Sequence, residues 1–591
     1  MTPLVEGPAS TSSSLWLHSP AQKPPLRIGL LLDGPNLPRF NAEIIKHIQA
    51  SNFANIELLV YRKKTAPPAA TGKRGIFARA GRRLFEAKLR KHALYDLYLR
   101  FDNKKKPRQH PRDMVDCASM FSGIESMVVE PIGERFVHRF PAEAVQQIRA
   151  RNLDVLIRFG FNIIKGDILS APRCGVWSYH HGDNEFYRGG PPHFWELYER
   201  NPLSGVILQV LTEELDAGVV LCKSLFTTQP TVSVSQNDFA PYWGSTDLVI
   251  RKLHELHRFG WERLRQRSLP PVPYKGKRRL YRTPTNVEMA RWLLPVMVKK
   301  AADRPFRKPM VQHWRMATRL RTPPLYSRES DGDLQGFRWI ESPKGHFWAD
   351  PFLLEEAGRK WVFFEDYAYA AKRASIACAE IGSDGSLSSY TTCLQHSEHH
   401  YSYPYVFREG RDVFMVPEAG NSGSVDLYRC EEFPGKWSRH STLLRGRFVD
   451  PSIWQQDGLW WMMVTTADPD ARCSALYLFY AEALTRPWQL HPANPISTDT
   501  RNNRGAGRIV VADGRLIRPS QSCCPTYGYS FSFNEVTKLS PTEYEEHALR
   551  EYKPERLGVQ GTHTYNWIPG VEVIDGVKAM PRGKVQLDQQ R

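Results

Sequence analysis

Residues 174–220 read CGVWSYHHGDNEFYRGGPPHFWELYERNPLSGVILQVLTEELDAGVV. The apolar run Gly175–Tyr179 predicts a strand that hands two histidines, His180 and His181, to the loop at its carboxyl end. A glycine-rich turn follows, Arg188-Gly189-Gly190-Pro191, then a short helix, a second strand (Gly205–Leu211) and an acidic turn, Leu215-Asp216-Ala217-Gly218. Toward the N-terminus the pattern is one of strands alternating with helices. LDVLIRFGF (153–161), IELLVY (56–61) and LRIGLLLD (26–33) are buried-strand runs; Phe40, Ile44, Ile45 and Ile48 have helical spacing over 40–51, as do residues 142–151. Such alternation predicts an α/β doubly wound sheet, whose ligands bind at the carboxyl ends of the strands.

The chain is 591 residues long, 41% apolar and 12% aromatic, so wholesale disorder is excluded. With 40 glycines and 9 cysteines it is neither collagen-like nor a disulfide scaffold. Cys523 and Cys524 are adjacent, no C-x-x-C spacing occurs, and no metal-ligand pattern is seen, so reduced thiols and no bound metal are expected. Residues 1–24 lack the charged and apolar regions of a secretory signal and read as a flexible tail. No apolar run is long enough to span a bilayer. A cytoplasmic protein, peripheral at the inner membrane face, is the expectation.

The net charge of +18 is concentrated in two places. Residues 61–115 carry 17 Lys/Arg against 4 Asp/Glu, and residues 263–321 carry 17 against 2. The first reads as a basic insertion in the α/β domain (25–269). The second covers most of a Pro-rich connector (270–332) with one helix, Val287–Lys300. Basic clusters attract anionic lipid headgroups, nucleotide-linked substrates or nucleic acid; a solvated loop and linker is the alternative. Nucleic acid is disfavoured, since no helix-turn-helix, zinc-finger or RNP pattern is present.

From 333 the texture changes to short apolar-aromatic runs between Gly, Asp and Pro, with a weak repeat. A landmark dipeptide, an apolar pair, a glycine turn and a second apolar strand recur: Asp350-Pro351 with Gly358, Tyr403-Pro404 with Gly410, and Asp450-Pro451 with Gly458. A degenerate copy begins at Gly505-Ala506-Gly507, and a last one near Thr562-His563. Four-stranded blades need about 40–50 residues each, so an all-β five-bladed propeller over 333–577 is predicted, with a tail at 578–591. The landmark aspartates would then point toward the axis, or else cap blade-start turns.

The first half resembles the catalytic domain of the folate-dependent formyltransferases, which act on methionyl-tRNA, glycinamide ribonucleotide or amino sugars. That family carries Asn-x-His, an Arg-Gly loop, Thr-Gly-Val-Thr and Asp-x-Gly. Here stand Ser178-Tyr179-His180, Tyr187-Arg188-Gly189, Ser204-Gly205-Val206-Ile207 and Asp216-Ala217-Gly218, with a His180-to-Asp216 interval of 36 residues. The resemblance implies 10-formyltetrahydrofolate as co-substrate, held by Phe159, Gly160, Ile164 and Gly218. It implies His180, Asp216 and Ser178 as catalytic residues, and His181, Arg188 and Gly189 around the acceptor. His180 would donate to the formyl oxyanion and Asp216 would orient it and accept the amine proton. Ser178 replaces the family's amide by a shorter single donor.

The second half, with FWADPF (347–352), SYPYVF (402–407), MVPE (415–418) and FVDPSIW (448–454), resembles the N-terminal domain of the glucosamine inositolphosphorylceramide transferases. More distantly it resembles the propellers of family forty-three glycoside hydrolases. This implies a carbohydrate pocket with Asp350, Glu418, Asp450 and Arg504, and Trp348, Tyr403, Trp454 and Gln521 as further lining. Three readings follow. One is formyl transfer to an amino sugar, sugar nucleotide or glycolipid; the second is a retired formyltransferase fold that binds glycans; the third is a propeller-centred glycosidase or glycosyltransferase.

Overall fold

The computed structural model describes residues 12–63, 91–133, 136–303, 310–321, 323–420, 422–467 and 475–585. Contacts divide the chain into two units, residues 13–305 and residues 306–591 together with 1–12.

The first unit is the expected α/β fold. Its sheet has seven strands: β1 Leu26–Leu32, β2 Ala54–Arg62, β3 Glu125–Val129, β4 Val155–Arg158, β5 Val176–His180, β6 Leu203–Val210 and β7 Val219–Thr227. Their order is β7-β6-β5-β4-β1-β2-β3. β5-β4-β1-β2-β3 are parallel, and β6 runs antiparallel to both neighbours. The winding reverses between β1 and β4, which places a ligand crevice at their carboxyl ends. Helix α1 (Arg39–Ala50) buries Phe40, Ile44, Ile45 and Ile48, the spaced positions of the sequence. Two further helices are α2 (Ala93–Asp102) and α3 (Ala142–Ala150). α3 packs Val145 and Ile148 against Leu31, Leu156 and Val176.

Three expected boundaries are corrected. The described part of the N-terminal tail is docked: Trp16 is buried edge-on to His254, and Ser19 Oγ lies 2.7 Å from His257 Nδ1. Within the basic insertion, residues 64–90 lie outside the described residues. Its remainder is built into the unit, since the buried Asp102 accepts hydrogen bonds from Ser233 Oγ and the Ser235 amide. The supposed connector is divided. Tyr281 pairs with the 188–190 loop, and α4 (Asn286–Asp303) extends the first unit. Residues Met310–Arg319 form a strand of the second unit.

The second unit is the five-bladed propeller. Four blades start with innermost strands His346–Glu356, Ser402–Glu409, Phe448–Gln456 and the broken pair Arg504–Gly505 and Val510–Ala512. The fifth combines both ends of the unit: Tyr565–Ile568 and Val571–Pro581 pair with Met310–Arg319 and Arg338–Ile340. This closes the ring, and its seam is fixed by the buried Arg319–Glu572 ion pair. The propeller therefore begins at Met310 rather than 333, and the tail expected from 578 is strand to Pro581. The turns Asp457-Gly458 and Asp513-Gly514 hold both residues at positive φ, as two-residue hairpins of this hand require.

Gly160 shows how tightly the crevice floor is built. A Cβ there would lie 2.4 Å from the Asp33 amide nitrogen and 2.5 Å from the Leu32 carbonyl carbon. Both are backbone atoms and cannot swing aside. Gly160→Ala should therefore cost about 1–3 kcal/mol, read in denaturant unfolding of the full chain. Unchanged stability would show that β1 and β4 do not need this approach.

Candidate functional site

In the α/β unit the site is assembled at the end of β5. Register sets His180 opposite Ile207 and Trp177 opposite Val210. The loop leaving β6 thus starts three residues below His180 and has to fold back to reach it. It does so: Asp216, at φ 52°, brings Oδ1 to 3.5 Å from His180 Nδ1. The Tyr187-Arg188-Gly189 loop clamps both partners. His180 Nε2 lies 2.7 Å from the Tyr187 carbonyl, and the Gly189 amide donates to Asp216 Oδ2 at 2.9 Å. Gly189 is required here, because a Cβ would meet the Tyr281 carbonyl oxygen at 2.3 Å and its φ is +92°.

Both His180 nitrogens therefore face oxygen acceptors. Nε2 faces the Tyr187 carbonyl, and Nδ1 faces the Asp216 carboxyl. A cation that the sequence reading passed over stands beside it. Arg158, the last residue of β4, donates from Nε to Ser178 Oγ at 2.9 Å and from Nη1 to the Phe161 and Asn162 carbonyls at 3.3 and 3.2 Å. Ser178 Oγ in turn donates to the Tyr179 carbonyl at 3.1 Å. Burial pulls the Arg158 pKa down, while Asp216 and Asp33 hold its charge. An arginine ending an apolar strand was the available signal, since a charge in a buried parallel strand needs partners.

The other expected residues are distributed as follows. His181 stacks on Tyr242 at 3.8 Å with Phe40 edge-on, and its Nδ1 is buried without a partner among the described residues. Burial drives its pKa well below the ordinary value, so it is a neutral packing ring. Arg188 lies over Tyr274 at 4.7 Å and 3.5 Å from Glu214. Of the residues implied for the folate, Ile164 is in the core, Gly160 abuts β1, and Gly218 fits closely under the Val210 carbonyl. Only Phe159 remains half-buried at the crevice.

In the propeller the landmark residues lie inside the innermost strands rather than in the turns before them. Asp350, Tyr403 and Asp450 have φ of 50°, 46° and 52°, each at a break in strand register. These bulges turn the side chains out of the ladder. Asp450 takes a bidentate pair from Arg504, at 2.5 and 2.8 Å. Glu418 Oε2 accepts the Asp450 amide at 3.2 Å and lies 3.8 Å from Arg504. Asp350 accepts Thr564 Oγ1 at 2.8 Å and the Tyr403 amide at 3.3 Å, with His563 Nδ1 3.6 Å away. Burial pushes the Asp350 carboxyl to about 7. Burial and the Asp450 charge push Glu418 well above the carboxylate range. Tyr527, half exposed, covers the Arg504 guanidinium at 5.0 Å.

Acid–base work on a glycosidic bond needs two carboxyl groups in different surroundings, and here Glu418 is raised by burial while Asp450 is paired bidentately with Arg504. Asp350, His563 and Asp575 also bring ligand atoms within 4.8 Å of one another. The Asp575 oxygens already accept the amides of His563, Thr564 and Asp350, so this trio is tied into the backbone. Tyr403 bonds Ser452 and Gly507 across blades, and Gln521 pairs opposite Arg504. Trp348 and Trp454 belong to the blade cores.

Comparison with known proteins follows the same division. A family profile described as glucosamine inositolphosphorylceramide transferase 1, N-terminal, matches residues 340–565. Glucosamine inositolphosphorylceramide transferase 1 of Oryza sativa subsp. japonica is 30% identical over 219 residues, 36% of this chain and 29% of that protein. The chain thus spans under a third of that relative. Methionyl-tRNA formyltransferase of Synechococcus sp. (strain WH7803) is 29% identical over 133 residues, 21% of this chain and 39% of that protein. Among solved structures, glycinamide ribonucleotide transformylase 1 from Symbiobacterium toebii aligns at 14% identity, covering 41% of this chain and 86% of its own, with a TM-score of 0.24.

The axial cluster makes stability pH-dependent. Burial opposes a charge on His563, but Asp575 and Asp350 outweigh it and raise the imidazole from 6.5 to about 9. A raised folded value means the stabilisation is full below about pH 6.5 and lost as pH rises through about 9. Asp350, also raised, loses its share earlier, between 3.8 and about 7. His563→Gln should flatten the fall in Tm between pH 6.5 and 9; an unchanged profile would place that titration elsewhere.

Proposed function

We propose that the chain is a transferase of glycan or glycolipid biosynthesis. In this reading the α/β unit moves a formyl group from 10-formyltetrahydrofolate to an amino sugar, sugar nucleotide or glycolipid, and the propeller pocket holds the carbohydrate. The observation that carries it is the Asp216–His180 pair, clamped by the Tyr187-Arg188-Gly189 loop at the crevice. An amine attacking a formyl carbon must lose a proton, and Asp216, 3.5 Å from His180, would take it. The oxyanion needs a fixed positive group, and Arg158, tethered through Ser178, is the cation at that point. The folate would supply the activated one-carbon unit. Similarity of residues 340–565 to a glycolipid glycosyltransferase's N-terminal region supports a sugar-bearing acceptor.

A second reading is favoured by Ser178 standing where the formyltransferases carry an amide and by the close packing of Gly160, Ile164 and Gly218. There the α/β unit binds without turnover, and the chemistry is that of Glu418 and Asp450 in the propeller.

The two separate in one set of assays on the full chain. On the first reading, formyl transfer to amino sugars falls by about 10²–10⁴-fold in His180→Asn and Asp216→Asn, and by about 10²–10³-fold in Arg158→Gln. Absence of formyl transfer from folded protein rejects it. On the second, Glu418→Gln and Asp450→Asn abolish sugar release or transfer while His180→Asn leaves it intact.

A further inference from the structure

The first unit carries an apolar surface that neither site uses. Helices α2 and α4 lie side by side: the Leu94 amide donates to Asn286 Oδ1 at 2.9 Å, and Tyr98 meets Trp292 edge-on at 5.5 Å. Pairing 94 with 286 and 98 with 292 makes the helices run in the same direction. Their inward faces hold Tyr95, Tyr98, Trp292 and Leu293 in one core cluster. Their outward faces are apolar too. On α2, Leu94, Leu97 and Phe101 are 41%, 48% and 58% exposed, at the i, i+3, i+7 spacing of one stripe. On α4, Leu294, Met297 and Val298 are 58%, 63% and 66% exposed. A soluble helix normally presents polar residues there, so two neighbouring outward-facing apolar stripes mark an interaction surface.

Charge decides what it fits. Arg100 and the run Lys104-Lys105-Lys106 lie at the carboxyl end of α2, and Arg291 and Lys299 are exposed on α4. Lys104 lies over the Phe101 ring at 5.7 Å, so cation and apolar group share one spot. The exposed acid of α2, Asp96, lies off the apolar stripe. Among the described residues no helix is long and apolar enough to cross a bilayer. We propose that α2 and α4 form a peripheral membrane-docking surface for anionic lipid. Leu97, Phe101, Met297 and Val298 enter the acyl boundary, and the lysines and arginines meet the headgroups. This surface would bring the protein to a membrane-resident acceptor, but it stands independently of the formyl-transfer reading.

The test is co-sedimentation of the full chain with phosphatidylcholine vesicles, and with vesicles carrying roughly one-third phosphatidylserine. Binding is expected to the anionic vesicles only, weakened by raising salt but not abolished, because insertion is not screened. Leu97→Ser with Phe101→Ser and Met297→Ser should lower the partition coefficient by about tenfold or more at all salt concentrations. Lys104→Ala with Lys105→Ala should lower it at low salt and reduce the salt dependence. These side chains are exposed, and an unchanged far-ultraviolet circular dichroism spectrum confirms folding; Phe101→Ser alone is the fallback variant. No binding to anionic vesicles, or binding by the triple variant equal to the parent, overturns the proposal. A triple variant that turns a dimeric parent into a monomer without changing vesicle binding overturns it in favour of a second copy on this face.

Discussion

Three residues within the innermost propeller strands hold φ near +50°: Asp350, Tyr403 and Asp450. For residues other than glycine this conformation costs about 1–2 kcal/mol each. It persists because the surrounding strands determine it on both sides of each bulge. The same distortion sets the local contacts of the two aspartates. It turns Asp450 onto Arg504, lets the Asp450 amide reach Glu418, and presents Asp350 to Thr564 and His563. Remove the bulges and the carboxylates return to alternating positions in flat strands, where half would face solvent and half the blade core.

The burial of these charges explains the rest of the axis. Carboxylates placed together out of water cannot all be ionised, so some must take protons and others must take cations. Asp450 has its arginine, and Asp350 shares the field of His563. Glu418 is left with an amide and a more distant guanidinium, and burial with the Asp450 charge pushes it well above the carboxylate range.

In the α/β unit the corresponding constraint is the 187–189 loop. One carbonyl and one amide, two residues apart, fix the tautomer of His180 and the orientation of Asp216. Tyr281 pairs with that loop from beyond the sheet, so the stretch expected to be a linker is part of the site's support. The loop and its support together explain why Gly189 cannot bear a side chain.

Local signals in the sequence were sufficient for both folds. Continuous apolar runs marked β1, β2 and β4, helical spacing marked α1 and α3, and the landmark dipeptide with its glycine turn marked the blades. These features depend on periods of two, of 3.6 and of one blade, all visible within fifty residues or so. His180, Asp216, Asp350, Glu418, Asp450 and Arg504 were likewise legible as types at suggestive places. What they do was not. The ring closes by pairing Met310–Arg319 with Val571–Pro581. Arg158 meets Ser178 only because β4 and β5 are neighbours. The exposed stripes of α2 and α4 are recognisable as surface only once the inward faces are filled. Sequence alone determined which elements form, because that is settled by neighbours along the chain. Tertiary structure alone decided which charges share a pocket and which apolar residues stay outside, because hydrogen bonds and desolvation act between residues distant in sequence.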